Sequence, residues 1–356
     1  MNFLADLQEL VECESPSEDL AACHQIIDLA VEISARNLNQ SATRTESGGR
    51  PIFWWGAPKP EIVLLCHLDT VWPRGSYLPL WRVDGDQIFG PGIFDMKAGF
   101  LQAMYALKSI PNAYEKVALV ATTDEEIGSR ASRPLIEELA RSARATLVFE
   151  SSINDKVKIG RKGTSMYQIR LRGRAAHAGL EPEKGINATT EIARVVLALA
   201  QLESLEHGTT VVPTLMQSGS TTNTVPATAT LDIDARSFLS SELLRVDSAI
   251  REIKAHHPEA LIEISGGLNR PPLEHAATAE LYAIIEEVAM KLGAPPIGHV
   301  SVGGASDGNL AAAVGGKVLD GLGASGNGAH ASHEHIFISR IEPRISLIAG
   351  FIKELM

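Results

Sequence analysis

Several apolar runs in this chain end in groups that titrate. In "VLLCHLDTVWP" the run from Val63 to Cys66 leads into His67 and Asp69. Asp95 follows a Gly-rich loop in "GPGIFDMKAGF"; Asp124, Glu125 and Glu126 follow the apolar part of "KVALVATTDEE"; Glu150 closes "ATLVFE"; His330 lies in the Gly-rich "GASGNGAHASHEH". Each alone reads as a loop residue, or as an acid placed favourably before a helix. Together they have a common meeting place, because ligands of an open α/β sheet bind beyond the carboxyl ends of its strands. Carboxylates gathered there would repel one another and resist desolvation unless a cation neutralised them. Imidazole with carboxylates, and no cysteine cluster, suits zinc, with cobalt or manganese as substitutes. Two histidines and three carboxylates are too many for one four-coordinate zinc that keeps an open position. They suit two ions sharing a bridging carboxylate, roughly 3.5–4 Å apart, which activate a water and polarise a carbonyl. One acid is then left over, and hydrolysis needs one as proton shuttle.

The elements that must position these groups follow from periodicity. After an amphipathic opening helix and the turn "SPSED", "LAACHQIIDLAVEISA" is helical; "EIVLLCH", "KVALVATT" and "ATLVFES" read as buried strands, alternating with the helices "MKAGFLQAMYALKSI" and "RPLIEELARSA". Such alternation predicts a mostly parallel sheet covered by helices on both faces. From Gly163 the pattern changes. "SMYQIRLRG" and "ATATLDIDARSF" alternate apolar with polar residues, "NATTEIARVVLALAQLES" and "SELLRVDSAIREIKAHH" are helical, and "ALIEISGG" is a strand. This predicts an inserted α+β domain of ferredoxin-like character. From Pro271 helices and strands return, ending in "RIEPRISLIAGFIKEL", to complete the first sheet. The expected organisation is a discontinuous α/β catalytic domain, residues 1–162 and 271–356, with a lid at 163–270 inserted between its halves.

Composition narrows the setting. At 356 residues the chain exceeds one typical core, which favours two domains. It is 45% hydrophobic and 21% charged, the balance of an ordinary globular protein. A formal net charge of -11 disfavours nucleic acid and anionic membrane as partners and leaves small ligands, locally recognised. No secretory leader is expected from "MNFLADLQELVECESPSED", and no stretch is long and apolar enough to span a bilayer. Cys13, Cys23 and Cys66 are odd in number and unpaired in spacing, which fits a reducing cytoplasm.

The ordered motifs "HLDTV", "GPGIFDMKAG", "TTDEEIGS", "VFES", "GRAAHAGLEPEKGINA", "NTVPATATLDIDAR" and "GAHASHEHIFIS" resemble those of the co-catalytic zinc metallopeptidases and deacylases. That family includes glutamate carboxypeptidase, acetylornithine deacetylase and succinyl-diaminopimelate desuccinylase. The likeness runs through nearly the whole chain, and "GPGIFDMKAGF" with "RPPLE" leans to the glutamate carboxypeptidase branch. It implies two zinc ions per chain and a homodimer formed through the lid. By position, His67 and Glu150 would hold one zinc, Glu126 and His330 the other, and Asp95 would bridge them. Glu125 would be the general base, and Asp69 would orient the His67 ring, as carboxylates commonly do behind metal-bound histidine. A non-proline cis peptide after Asp95 is also implied. His177 would stabilise the oxyanion in the neighbouring subunit's active site; Asn223 and Arg236 would contact the substrate's carboxylate end. Arg270 either grips a carboxylate or marks the hinge. Of the three C-terminal histidines, His330 is preferred because it stands four residues before Glu334, as in the family's last motif; His333 and His335 are expected to alternate outward. The resemblance implies cleavage of a C-terminal peptide bond or of an N-acyl amino acid amide.

Two rival readings compete with this one. "VGGASDGNL" carries G-x-S-x-G around Ser306, followed by Asp320 and His330 in the chain order of a serine hydrolase triad. That reading puts the nucleophile near the end of the chain and leaves the carboxylates unexplained. The other is a metal-bearing binding or regulatory protein on the same fold, for which loss of the base or a ligand would be the signature; neither is missing.

Overall fold

The computed structural model describes residues 2–356, which fall into two compact units. The larger unit comprises the chain up to Gly160 together with Glu274–Val302 and Ser306–Met356; the smaller comprises Arg161–Leu273 and Gly303–Ala305.

The larger unit is built on a six-stranded sheet in the order Thr43–Ser47, Arg50–Gly56, Val117–Thr122, Ile62–His67, Ala145–Val148, Val318–Leu319. The last four run parallel; the first two form an antiparallel hairpin on one edge. Every residue of Ile62–His67, Val117–Thr122 and Ala145–Val148 is buried, as expected for strands covered on both faces. The helix Ala98–Lys108 packs on the two central strands and against the C-terminal helix Ile341–Leu355, while Arg133–Ser142 packs on Asp307–Ala313, which in turn lies on Ala145–Val148. Phe53 and Phe100 meet edge to face at 5.1 Å and lock the first of these helices to the sheet.

Register decides what the sheet presents. Leu65 pairs with Val148, and Cys66 and His67 pair with Ala121 and Thr122. Side chains two apart in a strand share a face. His67 and Glu150, each two residues past the Leu65–Val148 pair, therefore stand level with one another at the end of the sheet. The backbone at Phe149 and Glu150 is closely packed: a Cβ at Gly99 would stand 2.2 Å from the Phe149 carbonyl oxygen, and one at Gly323 equally close. Only glycine allows helix and loop to press onto that strand exit.

Two expectations for this unit need correction. The hairpin Thr43–Ser47/Arg50–Gly56 is an addition to the elements that periodicity predicts, and Gly48 and Gly49, both at positive φ, carry the turn between its strands. The returning C-terminal region contributes only Val318–Leu319 to the main sheet. Gly326–Asn327 and His335–Phe337 instead join Gln87–Phe89 and Arg82–Asp84 in a small antiparallel sheet.

The smaller unit is a four-stranded antiparallel sheet, ordered Thr210–Ser218, Thr228–Ser237, Gly163–Arg172, Leu261–Arg270, with helices Ala188–Leu199 and Ser240–Arg251. Its own core holds Ile169, Leu171, Ile192, Val195, Leu231, Ile233 and Val246. The βαββαβ succession is ferredoxin-like. Periodicity alone missed the edge strand Thr210–Ser218, whose alternation is interrupted at Pro213 by a register shift between Pro213 and Leu215.

Candidate metal centre

The larger unit brings His67, Asp69, Asp95, Glu125, Glu126, Glu150 and His330 into one cluster at the carboxyl ends of its parallel strands. Two groups of three can be traced. Ligand atoms of His67, Glu125 and Glu150 lie within 4.8 Å of one another, as do those of Asp95, Glu126 and His330. Asp95 joins them: its Oδ1 is 3.4 Å from His67 Nε2, and its Oδ2 is 3.4 Å from His330 Nε2. His67 Nε2 is also 3.6 Å from Glu150 Oε1, and His330 Nε2 is 3.1 Å from Glu126 Oε2. The peptide bond between Asp95 and Met96 is cis.

The His67 ring has a defined orientation. Its Nδ1 lies 3.1 Å from the carbonyl oxygen of Asp69, which can only accept, so Nδ1 carries a hydrogen and Nε2 is the nitrogen turned toward Asp95 and Glu150. The Asp69 carboxylate is 3.4 Å from the same nitrogen and does further work. It accepts the backbone N–H of Glu125 at 3.4 Å and of Glu126 at 3.2 Å, together with the Ser17 hydroxyl at 2.6 Å. Asp69 thereby positions the Glu125–Glu126 pair as well as the histidine.

The electrostatics call for positive charge. Burial would push the His67 pKa down, but Asp69, Asp95 and Glu150 outweigh it and hold the ring well above the usual imidazole range. Asp95 and Glu126 raise His330 to about 10. Burial, with the charge of Asp95 beside it, lifts the Glu126 carboxyl. Burial opposes ionisation of Asp95 too, yet His330 and His67 hold that carboxyl well below its ordinary value. Lys158, itself buried, places its ammonium 3.9 Å from Glu150 Oε2.

The donor set fits divalent metal. His67 Nε2 and Asp95 Oδ1 are buried with no hydrogen-bond partner among the described residues, facing each other across 3.4 Å. With the ring neutral, as a metal ligand must be, these two atoms are buried acceptors that a cation between them would satisfy; without one, the carboxylates favour a proton on the ring in its place.

A model of "Peptidase family M20/M25/M40" matches residues 63–354, which contain every member of the cluster. The chain belongs to this family. It is a hydrolytic enzyme of a metal-dependent class. Among curated proteins it is 29% identical to carboxypeptidase G2 of Pseudomonas sp. (strain RS-16), across 98% of this chain and 88% of that one. It is 26% identical to succinyl-diaminopimelate desuccinylase of Thioalkalivibrio sulfidiphilus, across 98% and 97%. Among solved structures, aminopeptidase PepT from Bacillus cereus superposes with a TM-score of 0.80 at 20% identity, covering 99% and 98% of the two chains. The family's metallo-carboxypeptidase Sso-CP2 from Sulfolobus solfataricus gives 0.76 at 16% identity, covering 100% and 99%. These structural likenesses establish the M20 fold.

The smaller unit places the other singled-out residues. His177 is exposed; its Nδ1 accepts the N–H groups of Gly179 and Leu180, each at 3.1 Å. Asn223 lies on the adjoining segment, where its carbonyl accepts Ala178 N–H at 2.9 Å. Arg236 is held by Asp234 through two hydrogen bonds of 2.9 Å and also donates to Gly303 O. Arg270 is buried at the end of its strand.

The remaining C-terminal candidates separate. His335 is buried, contrary to the expectation that it points outward: its ring lies 5.1 Å from that of Phe89, and Nδ1 bonds to His333 O. Ser306 is fully buried, caps the helix Asp307–Ala313 and donates to Asp320 at 2.6 Å. A hydroxyl spent in that way is not an accessible nucleophile.

Glu334 is the residue that spacing alone did not single out for a role. Its carboxylate, 1% exposed, accepts N–H from Gly92 at 2.9 Å, Phe94 at 3.0 Å and Asp95 at 3.1 Å, and from Trp72 Nε1 at 3.1 Å. It holds the loop that presents Asp95, and burial pushes its pKa up to about 7 against those hydrogen bonds. Glu334→Ala would strand several buried donors at about 1–3 kcal/mol each. The expected loss is at least about 3 kcal/mol in chemical denaturation, with a parallel fall in retained metal. A neutral outcome in both would refute the anchoring role.

Proposed function

We propose that this protein is a dinuclear zinc amidohydrolase that releases an amino acid bearing a free carboxylate, in the manner of a glutamate carboxypeptidase. The observation that supports this reading most is the sharing of Asp95 between two groups, one oxygen toward His67 and the other toward His330. In this reading His67 and Glu150 would hold one zinc, Glu126 and His330 would hold the second, and Asp95 would serve both; cobalt or manganese would substitute. When bound, such ions lower the pKa of water and polarise a carbonyl oxygen. The chain's own part is proton transfer and positioning. Glu125 takes a proton from the attacking water as oxygen adds to the amide carbon, then delivers it to the departing nitrogen as the C–N bond breaks. Asp69, through the N–H groups of residues 125 and 126, keeps that carboxylate in place.

The smaller unit would act as lid and dimerisation domain. Its edge strand Thr210–Ser218 exposes Val212, Leu215 and Met216, a surface suited to a second copy. His177 would serve the neighbouring subunit's oxyanion, and Asn223, Arg236 and Arg270 the substrate carboxylate. No helix among the described residues is long and apolar enough to cross a membrane, and the free thiols of Cys13, Cys23 and Cys66 suit a cytoplasmic setting.

A second reading, an N-acyl-amino acid deacylase of the acetylornithine or succinyl-diaminopimelate type, draws on the similarity to the desuccinylase. A panel of folyl-glutamates, dipeptides and acyl-amino acids separates the two. The expected result is release of a C-terminal amino acid from the first two classes, abolished by chelation, restored by zinc and unaffected by serine-directed reagents. Activity that survives chelation would overturn the proposal.

A further inference from the structure

A cavity of about 290 Å³ lies within the larger unit, at the start of the C-terminal helix. Ala294, Pro295, Ile297 and Leu347 form apolar wall, whereas Lys156, Arg340 and Arg344 bring positive charge. None of these residues belongs to the metal centre. The cavity is small, but its lining follows the pattern of a binding site, apolar surface with a few placed polar groups.

Arg344 gives the cavity its character. Its side chain is 4% exposed, yet only part of the guanidinium is satisfied. Nη2 donates to the Asp155 carbonyl at 2.9 Å, whereas Nη1 is buried without a hydrogen-bond partner among the described residues. The one carboxylate in the lining, Asp155, is poorly placed to neutralise it. Asp155 Oδ1 lies 3.9 Å from Arg344 and accepts the Ser325 hydroxyl, while Oδ2 is 3.5 Å from Arg340. Three cationic side chains thus line the cavity with one carboxylate that is already shared, in a chain of net charge -11. Burial pulls the Arg344 pKa down to about 10 despite Asp155, as expected for a cation short of a counter-charge. The first turn of the 15-residue helix Ile341–Leu355 adds its positive end to the same place.

We propose that this cavity is a binding site for a small organic carboxylate with an apolar body, its carboxylate paired with Arg344 and Arg340 and its body against Pro295, Ile297 and Leu347. The guanidinium fork matches a carboxylate in two parallel hydrogen bonds, and the apolar wall excludes a bare inorganic anion as the preferred occupant. The site stands apart from the metal centre and does not depend on what that centre hydrolyses.

The test uses the full-length, metal-loaded protein with methyl labels on isoleucine and leucine, titrated with benzoate, benzamide and inorganic phosphate. Reading the methyl signals of Ile297 and Leu347 separates this cavity from carboxylate binding at the metals. Benzoate should shift both signals saturably, with benzamide and phosphate weaker by about ten-fold or more, the loss expected when a charge-assisted hydrogen bond is removed. Arg344→Gln should weaken benzoate by about as much. Because that variant removes a buried group and could unfold, Arg340→Gln combined with Lys156→Gln alters only exposed side chains and should weaken benzoate several-fold while leaving its shifts at the same methyls. Equal affinity for benzamide or phosphate, no saturable shift at Ile297 and Leu347, or full benzoate affinity in the exposed double variant would overturn the proposal.

Discussion

Glu125→Gln is expected to lower kcat by about 10²- to 10⁴-fold, the range for loss of a general acid–base group, while metal content and fold remain those of the parent. Glutamine preserves the size of the side chain and the backbone N–H that Asp69 accepts, so the positioning around it persists. It cannot take a proton from water or return one to nitrogen. Since the proton moves in the transition state, kcat and kcat/KM should fall together and KM should hardly change. At about 1.4 kcal/mol per factor of ten, the loss corresponds to about 3–5 kcal/mol of transition-state stabilisation. Steady-state kinetics beside metal analysis checks it. A variant that lost metal in proportion to activity would show Glu125 to be a ligand, which its place beside His67 and Glu150 makes the natural competing outcome.

Asp95→Ala should have the largest effect on the centre as a whole. One carboxylate faces both histidines, so its removal takes a donor from each group and leaves Glu126 and Glu150 without the residue that joins them. If the centre is dinuclear as proposed, both ions are expected to be lost on dialysis, with activity falling to background. Stability supplies an independent readout. A ligand that binds only the folded state stabilises it, by about 4 kcal/mol when free ion stands about a thousand-fold above its Kd. Chelation should therefore lower the melting temperature of the parent protein and leave that of Asp95→Ala unchanged. Retention of one tightly bound ion by the variant would contradict sharing of Asp95 and favour two independent sites.

Glu334 shows how strongly the centre depends on parts far apart in the chain. Its contacts with Gly92, Phe94 and Asp95 cross 242, 240 and 239 positions, and those of Asp69 with Glu125 and Glu126 cross 56 and 57. No local spacing announces such pairs. Glu334 could have been suspected only from being a carboxylate in the same motif as His330, and nothing in that motif says that its partners are backbone N–H groups.

The sequence by itself determined the class of the fold and the chemical class of the site. Apolar strands that alternate with helices can bury their surface only as a covered parallel sheet, and parallel strands deliver their last residues to a common edge. Strand period and burial are local properties, so His67, the acids after Thr122 and Glu150 fall near one another from the sequence alone. Tertiary structure decided the rest. The two oxygens of Asp95 face different histidines in a loop that Glu334 holds, a placement that arises only when distant segments pack. Thr43–Ser47 and Thr210–Ser218 lie at sheet edges, where one side of a strand is spared burial and the alternating signal weakens. His335, expected to face solvent, is buried because its short strand pairs with Gln87–Phe89, a partnership across the whole chain that periodicity does not record.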